Sequence, residues 1–338
     1  MLISWNITKA CNLKCQHCYR DAGDCAQNEL TLEEGKKLLT DLKSLNFRLV
    51  IFSGGEPLLR NELYDWIRFA GNLGLISVLG SNGTLIDKET ALKLKQTGLK
   101  RAGISLDSVD PETHDIFRCA GGSWEKAVAG MNNCTAAGLE FQIHTTVTKK
   151  NIDEVLKISD FAESIGACAH HIFFLVPTGR GKDIDGVTPS AAEYEELLGK
   201  ILEKQKTLSI ELKPVCAPHF MRIARQKQIN MRFDKGCLAG VSYCCILPDG
   251  TVHPCPYLPI DLGNVREEGF VKIWQENKVF NDLRALDLKG KCGICEFKKI
   301  CSGCRAAAFY TSDGDYLAED LNCSYEPKRK TALRDTSI

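Results

Sequence analysis

The chain has 338 residues, enough for one large domain with a sizeable buried core and a second, smaller domain. Its 43 basic and 43 acidic residues balance, which argues against nucleic acid or an anionic membrane as a partner. Seventeen cysteines, without a membrane-length apolar run or a signal-peptide pattern, indicate a cytoplasmic protein that uses its thiols for metal or cluster ligation rather than for disulfides.

Short apolar or β-branched segments alternate with helical patterns along the first half of the chain. Thr31 and Glu34 form a capping box ahead of a stripe of leucines, which is the clearest helix start. Such alternation predicts a parallel sheet with right-handed crossovers, in an open doubly wound sheet or in a complete or incomplete barrel. The predicted strands cover residues 2–8, 48–53, 75–81, 101–106, 141–147 and 170–175. Other helices are predicted near residues 61–73, 87–97, 123–137, 152–165 and 190–205.

The sequence changes character after the sixth strand. A loop and one more helix follow, and beyond Lys213 the chain becomes rich in Cys, Gly and Pro. We therefore expect one domain at residues 1–214 and a cysteine-rich domain at residues 215–338.

Three cysteines with the spacing CxxxCxxC follow the first predicted strand: Cys11, Cys15 and Cys18. Three thiolates from one short loop can hold three corners of a four-iron, four-sulfur cluster and leave the fourth iron open to a small molecule. A zinc knuckle, with His17 as a further ligand, or a redox pair is the alternative.

Polar and glycine residues follow the other strands, and the carboxyl ends of parallel strands are where ligands bind. Glycines after the second strand permit a close backbone approach, and Glu56 could receive a cation such as an amino group; a tight turn with a solvated glutamate is the alternative. The residues concerned are Gly54, Gly55, Glu56 and Pro57 after the second strand, Ser81 and Asn82 after the third, and Ser105 and Asp107 at the fourth.

CxxxCxxC after the first strand and GGEP after the second strand together resemble the radical S-adenosylmethionine superfamily. The resemblance covers roughly the first 210 residues and implies an α/β fold, a partial (β/α)6 TIM-like radical SAM barrel. It also implies that S-adenosylmethionine chelates the open iron of one 4Fe-4S cluster, and that the GGEP carbonyls receive its amino group. By the same resemblance His17 lies beside the adenine, and Ser81, Asn82, Ser105 and Asp107 are candidates for the ribose or carboxylate, with a strand-end cap as the alternative role of each.

A second set of cysteines occupies the C-terminal third. Two close CxxC pairs alone are also compatible with zinc. The whole pattern is similar to the SPASM extension of many radical S-adenosylmethionine enzymes, which implies one or two auxiliary 4Fe-4S clusters. The resemblance assigns Cys237, Cys255 and Cys304 to one cluster, with Cys244 or Cys245 as fourth ligand, and Cys292, Cys295, Cys301 and Cys323 to the other. The last close pair has two intervening residues where the general motif has three, and Cys25, Cys119, Cys134, Cys168 and Cys216 fit neither set.

The opening MLISWNITKACNLKCQHCYRDAG, the stretch HHIFFLVPTGRG and the stretch CGICEFKKICSGCRAAA resemble the branch of this superfamily that acts on haem precursors. The short lead before the first cysteine favours the haem synthase type within that branch. The resemblance implies a tetrapyrrole substrate, external electron donor and acceptor, and oxidative decarboxylation of iron-coproporphyrin III propionates to vinyl groups, which forms haem b. The candidate propionate partners are Arg20, Arg118 and Arg180, and the candidate ligands of the porphyrin iron are His170, His171 and His253.

Other functions remain open from the sequence. Ordinary surface arginines and satisfied core histidines are the alternative for those side chains. A SPASM peptide or protein maturase and a haem d1 enzyme are alternatives within the superfamily, although the absence of an N-terminal recognition domain argues against a peptide maturase. A zinc-stabilised scaffold protein is the alternative outside it.

Overall fold

The computed structural model describes residues 1–184 and 186–328. The strands are β1 (Leu2–Asn6), β2 (Leu49–Ser53), β3 (Ile76–Ser81), β4 (Arg101–Ser105), β5 (Glu140–Val147), β6 (Ala169–Phe174), β7 (Glu211–Val215), β8 (Tyr243–Ile246) and β9 (Val252–His253). The helices are α1 (Leu32–Ser44), α2 (Leu63–Asn72), α3 (Lys88–Gln96), α4 (Pro111–Arg118), α5 (Ser123–Ala136), α6 (Val155–Ser164), α7 (Ala191–Lys204), α8 (His219–Gln226), α9 (Phe270–Glu276), α10 (Lys278–Ala285), α11 (Gly290–Ile294) and α12 (Arg305–Thr311). Short 3₁₀ helices lie at Pro57–Leu59, Ile152–Glu154 and Gly179–Asp183.

The strands form one sheet in the order β7-β6-β5-β4-β3-β2-β1-β8-β9. Every neighbouring pair from β7 to β8 is parallel, and β9 pairs with β8 antiparallel. Because β1 to β7 follow one another in sequence without a reversal, the sheet is wound in one direction, as in a barrel, rather than doubly wound. The expected α/β fold with a partial TIM-like barrel is therefore confirmed.

The local signals in the sequence correspond to real elements. Each of the six predicted strands overlaps an observed strand, with ends that differ by at most two residues. The predicted capping box is present: Thr31 Oγ1 accepts from the Glu34 backbone N–H, and the Glu34 carboxylate accepts from the Thr31 N–H. Within α1, Leu38, Leu39 and Leu42 are buried, so the leucine stripe faces the core.

Nine strands and helices of the described residues were not predicted: β7, β8, β9, α4, α8, α9, α10, α11 and α12. Strand β7 contains Pro214, which disfavours a strand interior, but β7 lies at the edge of the sheet and pairs only with β6. Helix α4 is short; Asp110 is its N-cap and Pro111 is its first residue. Strand β8 pairs with β1, a partner more than 230 residues away in sequence.

The expected domain boundary after residue 214 falls within β7, and β8 from the C-terminal part extends the same sheet beside β1. The boundary stays a prediction. Among the described residues, no helix is long and apolar enough to cross a membrane.

Candidate functional site: the cysteine loop and the auxiliary cysteines

The loop that follows β1 is closed at its base. Ala10 pairs with Gly23, the Cys11 N–H donates to the Gly23 carbonyl at 2.8 Å, and the Gly23 N–H donates to the Lys9 carbonyl at 3.0 Å. The segment between Ala10 and Gly23 therefore forms one closed loop at the carboxyl end of β1, and it carries Cys11, Cys15 and Cys18.

A buried ion pair contacts the residues that lead from β1 into this loop. Arg60 Nη1 lies 2.8 Å from Glu29 Oε2 and 3.0 Å from the Ile7 carbonyl oxygen. Glu29 in turn accepts from Thr8 Oγ1 at 2.8 Å and from the Lys9 N–H at 2.7 Å. Both side chains of the pair are largely buried, so solvent screens their attraction less than it would screen that of a surface ion pair.

Each cysteine of the loop has a donor directed at its sulfur. The Leu13 N–H lies 3.4 Å from Cys11 Sγ, the Ala22 N–H lies 3.5 Å from Cys18 Sγ, and Arg118 Nη1 lies 3.9 Å from Cys15 Sγ. Burial raises the pKa of the Cys11 thiol to about 11 and also raises that of Cys15, which Arg118 opposes. Donors aimed at sulfur stabilise thiolates, so this donor set fits an iron–sulfur cluster.

The two glycines after β2 are required by the cysteine loop itself. A Cβ atom on Gly55 would lie 2.1 Å from the Ala10 carbonyl oxygen, and one on Gly54 would lie 2.4 Å from the Thr8 carbonyl oxygen. The Gly55 N–H donates to Thr8 at 2.8 Å and the Glu56 N–H donates to Ala10 at 2.7 Å. The close approach expected at these glycines is thus an approach of the protein's own backbone.

Glu56 is fully buried and its carboxylate faces protein donors. It accepts from Ser81 Oγ at 2.9 Å, from the Asn82 N–H at 2.8 Å and from the Leu58 N–H at 3.2 Å. Burial raises the pKa of Glu56 to about 7, although these hydrogen bonds oppose the shift. The sequence suggested that Glu56 faces solvent or a ligand, but its carboxylate links the end of β2 to the end of β3 through hydrogen bonds. Pro57 is buried beside it.

The polar residues after β3 also serve the scaffold. Ser81 donates to Glu56 and accepts from the Gly83 N–H at 2.9 Å, which occupies its hydroxyl. Asn82 Nδ2 donates to Asn12 Oδ1 in the cysteine loop at 2.9 Å. Ser105 Oγ donates to the Ser81 carbonyl at 3.3 Å. These contacts bring the strand ends and the loop together, as expected from their positions.

Asp107, after β4, holds Arg118 from α4. Arg118 Nε lies 2.6 Å from Asp107 Oδ2, and the Thr146 N–H donates to Asp107 Oδ1 at 2.8 Å. Burial acts to raise the pKa of Asp107, but the neighbouring charges, with Arg118 first, hold it below its usual value. Asp107 is 1% exposed, so the pair is screened from solvent.

His17 stacks on a residue that the sequence did not indicate. Its ring lies 4.1 Å from the Phe117 ring, centroid to centroid, with an interplanar angle of 15°. Burial and then the charge of Arg118 lower the pKa of His17 to about 3, so its imidazole is neutral. Phe117 could not be singled out because α4 itself was not predicted.

The three arginines expected at the substrate each contact a cysteine or the cysteine loop. Arg180 Nε donates to the Cys15 carbonyl at 3.0 Å, and its Nη1 lies 2.8 Å from Asp21 Oδ1. Arg20 Nη2 lies 3.2 Å from Cys245 Sγ. With Arg118 on Cys15, all three guanidinium groups contact cysteines or the cysteine loop, and their role as propionate partners stays a prediction.

The candidate histidines differ in what they face. His170 is fully buried, with Nδ1 2.9 Å from Ser159 Oγ and Nε2 2.8 Å from Thr145 Oγ1, so it is a satisfied core residue and the expectation of an iron ligand is wrong there. His171 stacks on His144 with a centroid distance of 5.5 Å. His253 is buried, and its pKa is lowered to about 4 by burial.

Four auxiliary cysteines line one pocket: Cys292, Cys295, Cys301 and Cys323. The Asp320 N–H lies 3.4 Å and Arg305 Nη2 lies 3.6 Å from Cys292 Sγ, and the Gly303 N–H lies 3.5 Å from Cys301 Sγ. The four thiols expected in one cluster are thus brought together, with donors directed at two of them.

Cys237 and Cys304 lie next to that pocket. The Cys237 N–H donates to the Cys301 carbonyl at 3.3 Å, and the Cys304 N–H donates to Asp320 Oδ2 at 2.6 Å. Cys244, one of the two expected fourth ligands, is instead fully buried in the main hydrophobic core. Among the described residues, no group of three or more His, Cys, Asp or Glu side chains is arranged so that it could hold a single metal ion.

Known proteins share both halves of this arrangement. Residues 5–162 match the Radical SAM superfamily, and residues 237–305 match SPASM, an iron-sulfur cluster-binding domain. The chain is 43% identical to the AdoMet-dependent heme synthase of Methanosarcina barkeri over 97% of each chain. It is 42% identical to the AdoMet-dependent heme synthase of Nitratidesulfovibrio vulgaris over 98% of this chain and 94% of that one.

The same fold occurs in a solved structure of low sequence identity. SuiB of Streptococcus suis, crystallised with S-adenosylmethionine, superposes with a TM-score of 0.75 at 16% identity and covers 96% of this chain and 77% of its own. At that identity the likeness concerns the fold alone. The extent and level of the sequence matches establish more: the chain belongs to the radical SAM superfamily and, within it, to the family of the AdoMet-dependent heme synthases.

Proposed function

We propose that this enzyme decarboxylates propionate side chains of iron-coproporphyrin III to vinyl groups and so forms haem b. The observation that carries the proposal is the 43% identity to an AdoMet-dependent heme synthase over 97% of both chains, across the core and the auxiliary cysteines alike. A fragmentary match would support only the superfamily chemistry. A match of this extent supports a shared substrate class as well.

In this proposal Cys11, Cys15 and Cys18 hold the 4Fe-4S cluster whose fourth iron takes S-adenosylmethionine. Bound there, the two cofactors supply the hydrogen-abstracting radical chemistry of the superfamily. The backbone at Gly54 to Pro57, held against the loop, offers carbonyls to the methionine amino group. His17, neutral and stacked on Phe117, forms a flat apolar wall for the adenine.

The auxiliary cysteines complete the proposed cofactor set. Cys237, Cys255 and Cys304 hold one auxiliary cluster. Cys292, Cys295, Cys301 and Cys323 hold the other, consistent with their common pocket. Ser105, partly exposed beside the Ser81 carbonyl, stays a candidate for the ribose, whereas Glu56, Ser81, Asn82 and Asp107 act by positioning the loop.

The net chemical change at each propionate determines which electron donor and acceptor the reaction requires. A CH2–CH2–COO⁻ side chain that becomes CH=CH2 loses one hydrogen atom, one CO2 and one electron. The hydrogen atom passes to the deoxyadenosyl group, and the electron passes to an acceptor. We therefore propose an external one-electron donor for S-adenosylmethionine cleavage and an electron acceptor for product formation, with the protein in the cytoplasm and without nucleic acid or membrane as a partner.

Anaerobic incubation of the reduced, reconstituted protein with S-adenosylmethionine and iron-coproporphyrin III tests the proposal. We expect 5'-deoxyadenosine, CO2 and a porphyrin lighter by CO2 and two hydrogens for each converted propionate, measured by mass spectrometry. Deoxyadenosine without CO2 and without a lighter porphyrin would reject the haem reaction and favour a maturase or a different tetrapyrrole. Replacement Cys15→Ala should abolish S-adenosylmethionine cleavage but keep the auxiliary clusters, whereas zinc without iron or sulfide would reject the cluster assignment altogether.

A further inference from the structure

The auxiliary cluster assigned to Cys237, Cys255 and Cys304 lacks a fourth thiolate, and the two expected candidates, Cys244 and Cys245, are consecutive residues of β8. Successive residues of a strand point to opposite faces of the sheet. Cys244 faces the apolar core. Cys245 faces the other way, where it accepts from Arg20 Nη2 at 3.2 Å.

Cys216 approaches the cluster cysteines from a different element. It follows β7 directly, and its φ of +59° places it in the left-handed region, which a residue with a Cβ adopts only when its surroundings enforce it. The Tyr194 hydroxyl donates to the Cys216 carbonyl at 2.9 Å and holds this turn in place. The backbone thus turns sharply out of the sheet at the residue whose thiol is in question.

The packing around Cys216 is shared with two of the assigned ligands. Cys216 and Cys255 both pack against a small apolar cluster formed by Val176, Leu258, Cys304, Ala306 and Ala307. This cluster is separate from the main core that contains Cys244. Cys216 therefore lies in the same compartment as Cys255 and Cys304, whereas Cys244 does not.

We propose that Cys216 is the fourth thiolate ligand of the auxiliary cluster held by Cys237, Cys255 and Cys304. Its thiol loses a proton as its sulfur bonds to iron, so this cluster has four protein ligands and offers no iron to a substrate. The inference rests on the proposed cluster assignment but not on the tetrapyrrole. It assigns this cluster to electron transfer rather than to substrate binding.

The test uses the full chain with Cys11, Cys15 and Cys18 replaced by alanine, so that all bound iron belongs to the auxiliary clusters. In this background Cys216→Ala, Cys216→Ser, Cys244→Ala and Cys245→Ala are reconstituted anaerobically. We measure iron and sulfide per chain, and EPR spectra of the oxidised and reduced proteins. Circular dichroism and gel filtration check that each variant is folded.

We expect about eight irons per chain in the parent and about seven in Cys216→Ala, whose oxidised form should give the EPR signal of a three-iron cluster. Cys216→Ser should retain the iron with an altered spectrum of the reduced cluster, because a serine oxygen can replace the thiolate. Cys244→Ala and Cys245→Ala should match the parent. An unchanged iron content and spectrum in Cys216→Ala, or the same loss in Cys245→Ala alone, would overturn the assignment. Because no porphyrin is added, a failed haem reaction and a wrong fourth ligand give separate results.

Discussion

The Nη1 atom of Arg118 lies 3.9 Å from the Sγ atom of Cys15, the middle cysteine of the loop that follows β1. The guanidinium reaches this position because its Nε atom is held 2.6 Å from Asp107 Oδ2. The Arg118 side chain is only 9% exposed, so solvent screens its charge weakly. A buried positive charge beside a cluster thiolate favours the additional negative charge that reduction brings.

Removal of this charge should make the cluster harder to reduce. The double replacement Asp107→Asn with Arg118→Gln removes the charge without leaving a buried carboxylate unpaired. We expect the midpoint potential to fall by about 50 mV. A charge-assisted hydrogen bond contributes about 1.5–3 kcal/mol, and part of this free energy depends on the charge of the cluster. EPR-monitored redox titration measures the potential. The matched control, Arg101→Gln with Glu140→Gln, removes an ion pair at the opposite end of β4 and should leave the potential unchanged.

Gly55, after β2, is expected to determine the position of the cysteine loop without affecting the auxiliary cysteines. In Gly55→Ala the new Cβ would lie 2.1 Å from the Ala10 carbonyl oxygen, so the loop must move. We expect the variant to lose most S-adenosylmethionine cleavage and about four irons per chain while it keeps the auxiliary clusters. The control is Gly71→Ala, because a Cβ at this position in α2 has no neighbour within 4 Å. If Gly55→Ala bound its full complement of iron and cleaved S-adenosylmethionine normally, the close approach would be irrelevant.

The elements were predictable where the signal was local. Thr31 and Glu34 predict the start of α1, because a capping box involves only residues three positions apart. Strand β8 gives no such signal, since four residues that contain two cysteines become a strand only by pairing with β1. Tertiary pairing over that sequence distance has no local trace.

The protonation of Glu56 should make stability depend on pH. Its folded-state pKa is raised by burial from 4.5 to about 7, so the folded protein holds the proton more tightly than the unfolded chain does. This contribution to the free energy of unfolding is complete below pH 4.5 and is lost as the pH rises through 7, a loss of up to about 3 kcal/mol. Urea unfolding of wild type and Glu56→Gln from pH 5 to 8 measures it. The slope should be smaller in Glu56→Gln, and exposed Glu89→Gln should keep the wild-type slope; equal slopes in all three proteins would contradict the assignment.

The positions of the site residues at the strand ends were predictable from the sequence, but their hydrogen-bond partners were not. The sequence places Cys11, Glu56 and Asp107 after parallel strands, and they do lie at one edge of the sheet. It does not reveal that Glu56 turns to Ser81 and Asn82, since any polar residue at a strand end can face solvent, ligand or protein. Cys216 fits neither cysteine set in the sequence, because no spacing rule links it to Cys237, Cys255 or Cys304.

The stack of His17 on Phe117 should act through ring shape rather than through proton transfer. The pKa of His17 is lowered to about 3, first by burial and then by Arg118, so its imidazole stays neutral throughout the working range of pH. We expect His17→Phe to retain S-adenosylmethionine affinity and the wild-type pH profile of cleavage. His17→Ala should weaken binding by about 2- to 12-fold, because an aromatic contact contributes about 0.5–1.5 kcal/mol. Phe117→Leu should give a smaller loss, since the His17 ring keeps an apolar support. Equilibrium dialysis with S-adenosylmethionine measures the affinity, and a His17→Phe variant that binds as weakly as His17→Ala would show that the imidazole nitrogens, not the ring face, make the contact.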